Sequence, residues 1–371
     1  MVRRALQLLL ALAVAVPTPG AAQENSFARQ VARFSETGGY FDSDNLISNE
    51  TSYLHVLGAL DAYSIRGGVY IGVGPEQNFS YIARVKPEIA FLIDIRRDNM
   101  LLHLLFKAMF ETARNRMEFL SLLYSRPAPV DLSMWTDLPL RELLTRIDRT
   151  PFDSLGHVRN HEALMAKVSG YGIPLTPEDR TTLRRFHDEF AVSGLDIRFT
   201  SRGRPIRFTY PTARDLYLQT DLEGNIASYL ASEDDWRVVR DLSRRDRLIP
   251  IVGDLAGPTA VKELGRYIAE TGRKVSVLYV SNVEMYLYRY GTFGKFVENV
   301  RALPAGTNSV IIRSYFGRGM GIHPQAEPNH LSVQIMQTIP TFLNLVTREP
   351  DASYWTVVTT DLIDLKAAGR P

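Results

Sequence analysis

The sequence predicts an α/β fold in which a mostly parallel β-sheet lies between two layers of helices. The first observation is the order of strand, glycine turn, helix, strand and acid between Gly67 and Asn99 (GGVYIGVGPEQNFSYIARVKPEIAFLIDIRRDN). The second is that strands and helices alternate again from Leu248 onward, which favours parallel strands joined by right-handed crossovers. The third is that Ile89–Ile95 is a continuous apolar run, as expected for a strand buried on both faces.

Hydrophobic periodicity and turn residues assign the individual elements. Strands are predicted at Val69–Val73, Ile89–Ile95, Leu248–Val252, Val275–Val280, Ser309–Tyr315 and Tyr354–Thr359. Helices are predicted at Ser26–Phe34, Ser48–Tyr63, Glu76–Val85, Asn99–Leu123, Leu138–Ile147, Pro177–Phe190, Asn225–Leu230, Thr259–Thr271, Gly294–Leu303 and His330–Val346. The basic stretch Arg198–Arg207 is predicted to form a short exposed hairpin.

The first 22 residues have the features of a secretory signal sequence. Arg3 and Arg4 precede the apolar run Ala5–Val16, and Gly20 and Ala22 supply small residues before a cleavage site. The apolar run is too short to span a bilayer comfortably. We therefore expect no stable membrane span after cleavage, and export of the mature chain to a bacterial periplasm.

The remaining chain divides into a helical N-terminal segment and one large domain. Residues 23–66 form the N-terminal helical segment, and residues 67–371 form the α/β domain. Many prolines and short helices between about 120 and 245 predict a helical insertion within that domain.

Composition excludes several classes of function. The chain has 43 Lys and Arg, 41 Asp and Glu, and a net charge of +2, which argues against nucleic acid as a partner. It has no cysteine, so disulfides, thiolate nucleophiles and thiolate metal ligands are absent. No P-loop and no G-x-S-x-G motif occurs.

Candidate ligand-binding residues follow the predicted strands, because open α/β sheets bind ligands beyond the carboxyl ends of their strands. The glycines allow close backbone approach to a ligand, and carboxylates can accept hydrogen bonds from ribose hydroxyls. Asp94 is equally placed to cap the helix that follows it. The candidate binding residues are Gly72, Gly74, Glu76, Asp94, Asp254 and Asn282.

Two further residues are candidates for acid–base chemistry. His323 follows the fifth strand and could act as a general base, because histidine titrates near neutral pH. Glu284 follows the fourth strand. His157 and His161 have helical i,i+4 spacing, but without an HExxH motif we interpret them as a surface pair, and no metal site is predicted.

The order of Gly72, Gly74, Asp94, Asp254 and the motif VSNVE at 280–284 resembles the class I S-adenosylmethionine-dependent methyltransferases. The phrases GVGPEQNFSYI and IDIRRDN also resemble an uncharacterised family of conserved hypothetical bacterial proteins with that fold. The resemblance covers about 65–115 and 245–365 and implies a Rossmann-like, three-layer α/β/α arrangement. It implies that Gly72 and Gly74 approach the methionine part of S-adenosylmethionine, that Asp94 binds its ribose, and that Asp254 contacts its adenine.

Two functional hypotheses follow. One is an exported protein that keeps the fold and binds a ligand or acts as a scaffold without catalysis. It rests on the predicted export and on Glu76, which replaces the third glycine of the methyltransferases and could pair with an ammonium group. Tyr70 also stands where those enzymes usually have an acid. The other is a methyltransferase or related enzyme that acts on a small nucleoside-like ligand.

Overall fold

A six-stranded sheet forms the centre of the computed structural model, which describes residues 26–317 and 321–368. The strands are β1 (Val69–Val73), β2 (Ile89–Asp94), β3 (Leu248–Val252), β4 (Val275–Tyr279), β5 (Ala305–Tyr315) and β6 (Val333–Thr338). Their order across the sheet is β3-β2-β1-β4-β5-β6; β1 to β5 are parallel, and β6 is antiparallel to β5. The predicted α/β class and the mostly parallel sheet are therefore confirmed.

Sixteen α-helices accompany the sheet in the described residues. They are α1 (Ser26–Phe34), α2 (Leu57–Ala62), α3 (Gln77–Val85), α4 (Arg97–Thr112), α5 (Arg116–Leu123), α6 (Leu140–Arg149), α7 (Ser154–Gly170), α8 (Pro177–Ser193), α9 (Ala213–Tyr217), α10 (Glu233–Arg244), α11 (Ala260–Glu270), α12 (Val283–Arg289), α13 (Phe293–Arg301), α14 (Ile339–Arg348), α15 (Tyr354–Thr359) and α16 (Leu365–Ala368). None of these helices is both long and apolar enough to cross a membrane. The predicted signal sequence lies outside the described residues, so export stays a prediction.

The predicted helix Ser48–Tyr63 begins later than expected. A single 3₁₀ turn at Tyr53–Val56 leads into α2, and residues 36–52 form no helix. Polar groups of this stretch bond to the ends of the strands instead, for example Ser48 N to Glu76 and Gly39 N to the Ile95 carbonyl. We call residues 36–52 the covering segment.

The predicted helix Asn99–Leu123 is two helices. The chain leaves α4 at Ala113, whose backbone is extended, and Asn115 then caps α5 by accepting a hydrogen bond from the backbone N–H of Glu118. An asparagine with this geometry favours a new helix start, since its side chain satisfies a free N–H group.

Two predictions were wrong in the C-terminal region, where part of a predicted helix is a strand and a predicted strand is a helix. The predicted helix His330–Val346 contains β6 and then α14, which begins where Thr338 accepts from the Thr341 N–H and Pro340 occupies the first turn. The predicted strand Tyr354–Thr359 is α15, capped by Ser353. Its β-branched and aromatic composition favours a strand, but the cap and the packing of Tyr354 and Val358 decide otherwise.

Two predictions within residues 198–230 were also wrong. Residues 225–230 form turns and an isolated bridge between Thr220 and Ile226 rather than a helix. The basic stretch from Arg198 forms no hairpin of its own; Arg198 pairs with Thr212 in another isolated bridge.

Candidate ligand site at the carboxyl ends of the strands

The side chain of Asn78 fixes the backbone of the glycine turn after β1. The Asn78 side-chain N–H₂ donates to the carbonyls of Val73, Gly74 and Pro75, and its Oδ1 accepts from the Tyr70 hydroxyl at 2.8 Å. A Cβ at Gly72 would overlap with the side chains of Asn78 and Tyr70. Gly74 has φ +90°, a conformation that L side chains rarely adopt. The two predicted glycines are thus required by the turn itself.

Asp94 ends β2 in a buried ion pair. Its carboxylate accepts two hydrogen bonds from the Arg96 guanidinium, 2.9 and 3.1 Å long, and one from the Arg96 backbone N–H. The same guanidinium donates to the carbonyls of Ser43 and Asp44 in the covering segment. The acid predicted to bind ribose is therefore already engaged, and it anchors the covering segment to the sheet.

Asp254 forms a hydrogen bond within its own loop after β3. Its carboxylate accepts from the Ala256 N–H at 2.8 Å. The N-terminus of α11 is capped instead by Glu36 of the covering segment, which accepts from the backbone N–H groups of Asp254, Thr259 and Ala260. Burial acts to raise the pKa of Glu36, but these hydrogen bonds and that from the Thr259 hydroxyl outweigh it, and the pKa is lowered.

The covering segment also fills the space between the ends of β2 and β3. The backbone N–H of Glu36 bonds to the Val252 carbonyl at 2.9 Å. A Cβ on Gly38 would lie 2.9 Å from Val252 Cγ1 and 3.0 Å from the Ile95 carbonyl oxygen. The covering segment therefore packs directly on the ends of the strands that carry Asp94 and Asp254.

Glu50 lies near the ends of β4 and β5 and beside β6, and its described hydrogen-bond partners from these regions are all neutral side chains. Its carboxylate accepts from Tyr279 at 2.6 Å, from the hydroxyls of Ser281 and Ser314, and from Gln334 Nε2 at 3.2 Å. The side chain is buried, so desolvation raises its pKa despite these four hydrogen bonds. No basic side chain pairs with this carboxyl group among the described residues.

Glu76, directly after the glycine turn, is a second buried acid without a basic partner in the described chain. One carboxyl oxygen accepts from the Ser48 N–H at 3.5 Å, and the other oxygen, Oε2, has no hydrogen-bond partner. Desolvation raises the pKa of Glu76 to about 8. Gln77, the next residue, connects with Glu50 through Tyr279: Gln77 Nε2 donates to the Tyr279 hydroxyl at 3.0 Å, and that hydroxyl donates to Glu50.

Several polar atoms around the glycine turn lack partners within the described residues. They are Glu76 Oε2, Gln77 Oε1, Asn99 Oδ1 and Nδ2, and His103 Nδ1. His103 Nε2 lies 2.9 Å from the Gly74 carbonyl oxygen, so that nitrogen carries the proton and Nδ1 is an acceptor. Burial lowers the pKa of His103 to about 4, and the ring is neutral. Four of these five atoms are acceptors, which suits a ligand rich in hydrogen-bond donors.

The candidate residues that follow β4 and β5 already bond to other groups of the protein. Glu284 forms a buried ion pair with Arg313, 2.6 Å long, and desolvation still raises the pKa of Glu284. Asn282 Oδ1 lies 3.5 Å from the Ser281 hydroxyl. Both ring nitrogens of His323 have backbone partners: Nε2 lies 2.7 Å from the Val358 carbonyl oxygen, and Nδ1 accepts from the Gln325 N–H. Desolvation lowers the pKa of His323.

Sequence reasoning missed Glu50 and His103. Glu50 ends an acidic and serine-rich run that is typical of a capped turn, and His103 lies in an apolar helix where a satisfied core histidine is expected. The stretch Glu76–Asn78 is a usable signal for a ligand site at this turn. Three consecutive polar residues after a buried strand are costly to bury without partners.

The interpretation of His157 and His161 as a surface pair was wrong. Both are buried, with 6% and 7% of their surface exposed, and both face His187 of α8. Helix α8 packs beside α7, and this removes the pair from solvent. Among residues 26–317 and 321–368, no cluster of His, Asp or Glu has an arrangement suited to a metal ion.

A model of one protein family matches two stretches of the chain. The family is described as a domain of unknown function (DUF7790), and the match covers residues 46–128 and 208–362. It includes the glycine turn, Glu50, Glu76 and all six strands; residues 129–207 between the two stretches lie within the predicted insertion. A search of curated proteins found no match. Because the matched residues make up well over half of the chain, the protein belongs to the DUF7790 family.

Proposed function

We propose that the protein binds a small amino-bearing ligand at the carboxyl ends of the strands, in the cluster around Glu50 and Glu76. The observation that carries this proposal is a pair of buried carboxyl groups that have no basic partner among residues 26–317 and 321–368. Two other buried acids at the strand ends have an arginine: Asp94 pairs with Arg96, and Glu284 pairs with Arg313. A protonated amine would supply the missing charge to Glu50 or Glu76.

The position of the cluster in the sheet supports the proposal. The chain proceeds from β1 to β3 in one direction and from β4 to β5 in the other, so the strand order reverses between β1 and β4. Ligands of Rossmann-like sheets bind at this point. Gln77 follows β1, Tyr279 ends β4, and their hydrogen bond crosses the point of reversal. We propose on this basis that the domain is a three-layer, Rossmann-like α/β/α fold.

The hydrogen-bonding character of the cluster supports an amine in particular. An ammonium group donates three hydrogen bonds and accepts none. Three acceptors that have no partner in the described part of the chain are complementary to such a group: Glu76 Oε2, Gln77 Oε1 and His103 Nδ1. Unpartnered buried polar atoms cost about 1–3 kcal/mol each, so a ligand that satisfies them gains affinity.

Methyl transfer is the second candidate function, favoured by the glycine turn and by the acids at the ends of β2 and β3. S-adenosylmethionine also carries an ammonium group. The ion pair of Asp94 with Arg96 and the packing of Gly38 against Val252 favour a ligand other than the complete nucleoside. We therefore place non-catalytic ligand binding ahead of methyl transfer.

Calorimetric titration of the full chain tests the proposal. The probes are S-adenosylmethionine, S-adenosylhomocysteine and putrescine, which carry amines, and adenosine, which has no charged amine. We expect at least one amine to bind, adenosine not to bind, and Glu76→Gln to weaken the amine at least tenfold, or about 1.4 kcal/mol. Glu223→Gln, at an exposed turn, is the matched control and leaves binding unchanged.

Two results would contradict parts of the proposal. If each amine binds to Glu76→Gln as tightly as to the wild type, the amines do not bind at the cluster around Glu50 and Glu76. Equal binding of adenosine and S-adenosylmethionine, with loss of both in Asp94→Asn, would favour the nucleoside site and methyl transfer.

A further inference from the structure

Three helices of the predicted insertion bring a serine, a histidine and an aspartate together, far in sequence from the glycine turn. Ser125 follows α5, His157 lies in the first turn of α7, and Asp188 lies on α8. Ser125 Oγ is 2.7 Å from His157 Nδ1, and His157 Nε2 is 2.7 Å from Asp188 Oδ1. The three side chains thus form one continuous hydrogen-bonded chain.

The carboxylate determines where the proton of the imidazole lies. Asp188 is an acceptor, so the neutral His157 ring carries its proton on Nε2 and presents the lone pair of Nδ1 to the Ser125 hydroxyl. This is the protonation state that a general base needs beside a nucleophilic serine. The two ring nitrogens are exchanged relative to the usual Ser–His–Asp triad, but the roles of acceptor and donor are the same.

The aspartate remains ionised. Burial acts to raise the pKa of Asp188, but the hydrogen bond from His157 and the charge of Arg184 outweigh it, and the pKa is lowered. Arg184 Nε lies 2.9 Å from Asp188 Oδ1, one helical turn away on α8. The carboxylate can therefore stabilise an imidazolium ion when His157 takes up a proton.

The backbone of Ser125 is unusual for a serine. Its φ is +52°, and the hydrogen bonds from Ser125 N to the Leu122 carbonyl and from Arg126 N to the Ser121 carbonyl close the end of α5. Glycine is the preferred residue at this position of such a helix end. A non-glycine residue with positive φ is strained, and such strain clusters at functional sites.

A second histidine approaches the same hydroxyl. His187 Nε2 lies 3.3 Å from Ser125 Oγ and 3.1 Å from the Leu122 carbonyl oxygen. Because Nε2 faces a carbonyl acceptor, it carries the proton, and it can direct that proton toward the serine oxygen as well. Ser125 Oγ is therefore held with its hydrogen toward His157 and a lone pair toward His187.

The serine lines a cleft of about 230 Å³. Arg159 and Asn160 of α7 line the same cleft, and their side chains carry the kind of N–H donor that an oxyanion would need. Ser121 lines it as well, but its hydroxyl has no partner in the described chain and no histidine beside it. The volume lies below the usual range for drug-sized ligands, about 300–1,000 Å³, and suits a short acyl group.

We propose that Ser125, His157 and Asp188 form a second active site that hydrolyses esters of short-chain carboxylic acids. Ser125 Oγ attacks the ester carbonyl carbon while its proton passes to His157 Nδ1. The tetrahedral intermediate collapses, the carbon–oxygen bond to the alcohol breaks, and the alcohol leaves with the proton from Nδ1.

Water completes the reaction. His157 Nδ1 takes a proton from a water molecule as its oxygen attacks the acyl carbon. The bond to Ser125 Oγ then breaks, the proton returns to Oγ, and the carboxylic acid leaves. Water is the only co-reactant, and no oxidant or reductant is needed. The side chains of Arg159 and Asn160 are the donors available to both tetrahedral intermediates.

A fluorophosphonate probe and p-nitrophenyl acetate test this site on the full chain. We expect the probe to attach to Ser125, identified by mass spectrometry of the peptides, and the acetate to be hydrolysed. Ser125→Gly removes the nucleophile and retains the fold, because glycine suits φ +52°. It should abolish labelling and lower ester hydrolysis at least about 100-fold. The matched control is Ser64→Gly, at the exposed end of α2, where φ is +53° and the residue is not in the lining of the cleft; it should leave both unchanged.

Positioning is tested separately from nucleophilicity. Asp188→Asn should lower kcat with little change in KM, because the amide that replaces the carboxylate would no longer favour the tautomer in which His157 Nδ1 accepts. p-Nitrophenyl decanoate should react much more slowly than the acetate. The proposal is overturned if the probe labels a residue other than Ser125, if no residue is labelled, or if Ser125→Gly hydrolyses the acetate as fast as wild type.

Discussion

Glu76 shows how one residue links burial, protonation and function. Its neighbours offer one weak hydrogen bond from Ser48 and no positive charge in the described chain. The carboxyl group is therefore protonated at neutral pH, because burial raises its pKa to about 8. A cationic ligand would reverse this preference and draw the proton off. Proton release on binding is the thermodynamic sign of such a site.

The raised pKa predicts how stability changes with pH. The unfolded chain loses the Glu76 proton near pH 4.5, whereas the folded chain keeps it up to about 8. The contribution of Glu76 is therefore fully present below pH 4.5 and is lost as the pH rises through about 8. Each pKa unit corresponds to about 1.4 kcal/mol, so the loss is about 5 kcal/mol at most.

Urea denaturation across this pH range measures the effect. We expect Glu76→Gln to match the wild type at the acid end and to be more stable at the alkaline end. Glu223→Gln should follow the wild-type profile throughout. Parallel profiles for wild type and Glu76→Gln would show that Glu76 titrates normally.

The covering segment is the element that sets the character of the strand-end site. It carries Glu50 into the cluster, caps α11 with Glu36, and is tied to β2 through Arg96. Its residues form few regular hydrogen bonds among themselves. The segment therefore depends on its contacts with the sheet, and its loss should expose the ends of β2 and β3.

Arg96→Met tests the attachment of this segment. The change leaves Asp94 buried without its partner, and breaking a buried ion pair in this way costs about 3–5 kcal/mol. Backbone N–H groups of Glu36 and Gly39, which bond to Val252 and Ile95, should exchange with deuterium faster than in the wild type.

Arg114→Met is the matched control for Arg96→Met. Arg114 pairs with Glu118 on the exposed face at the start of α5, with 71% of its side chain accessible. Its loss should change stability far less and should not alter exchange at Glu36 or Gly39. Equal exchange in Arg96→Met and wild type would show that the covering segment is held by other contacts.

Much of the sheet could be predicted from local sequence. β2 and β3 are apolar runs bounded by polar turns, and their buried positions agree with that pattern. The C-terminal elements could not be predicted in the same way. The β-branched run of α15 becomes helical because Ser353 caps it. The apolar pattern is continuous across β6 and α14, and the boundary between them is set by the Thr338 cap and by the pairing of β6 with β5.

The candidate site was only partly predictable. The glycine turn, Asp94 and Glu76 follow strands directly and are visible in the sequence. The ion pair between Asp94 and Arg96 could not be predicted. The two residues are close in sequence in any fold, and only the directions of their side chains decide whether they pair. The contacts of Glu50 with Ser314 and Gln334 span more than 260 residues, and no spacing rule indicates them.

At the scale of the whole molecule, the fold separates two clusters of polar side chains. One lies where the strand order of the sheet reverses, around Glu50 and Glu76. The other lies among α5, α7 and α8, around Ser125 and His157. A buried acid cluster suits ligand recognition, and a hydroxyl–imidazole pair at a cleft suits acyl transfer. The first cluster carries the central proposal for this family member.

A crystal structure of the full chain with its tightest-binding amine tests that proposal most directly. We expect the amine nitrogen within hydrogen-bond distance of Glu76 Oε2 or the Glu50 carboxylate, with Gln77 Oε1 or His103 Nδ1 as a second acceptor. An amine bound elsewhere, with Glu50 and Glu76 contacting protein atoms alone, would contradict it.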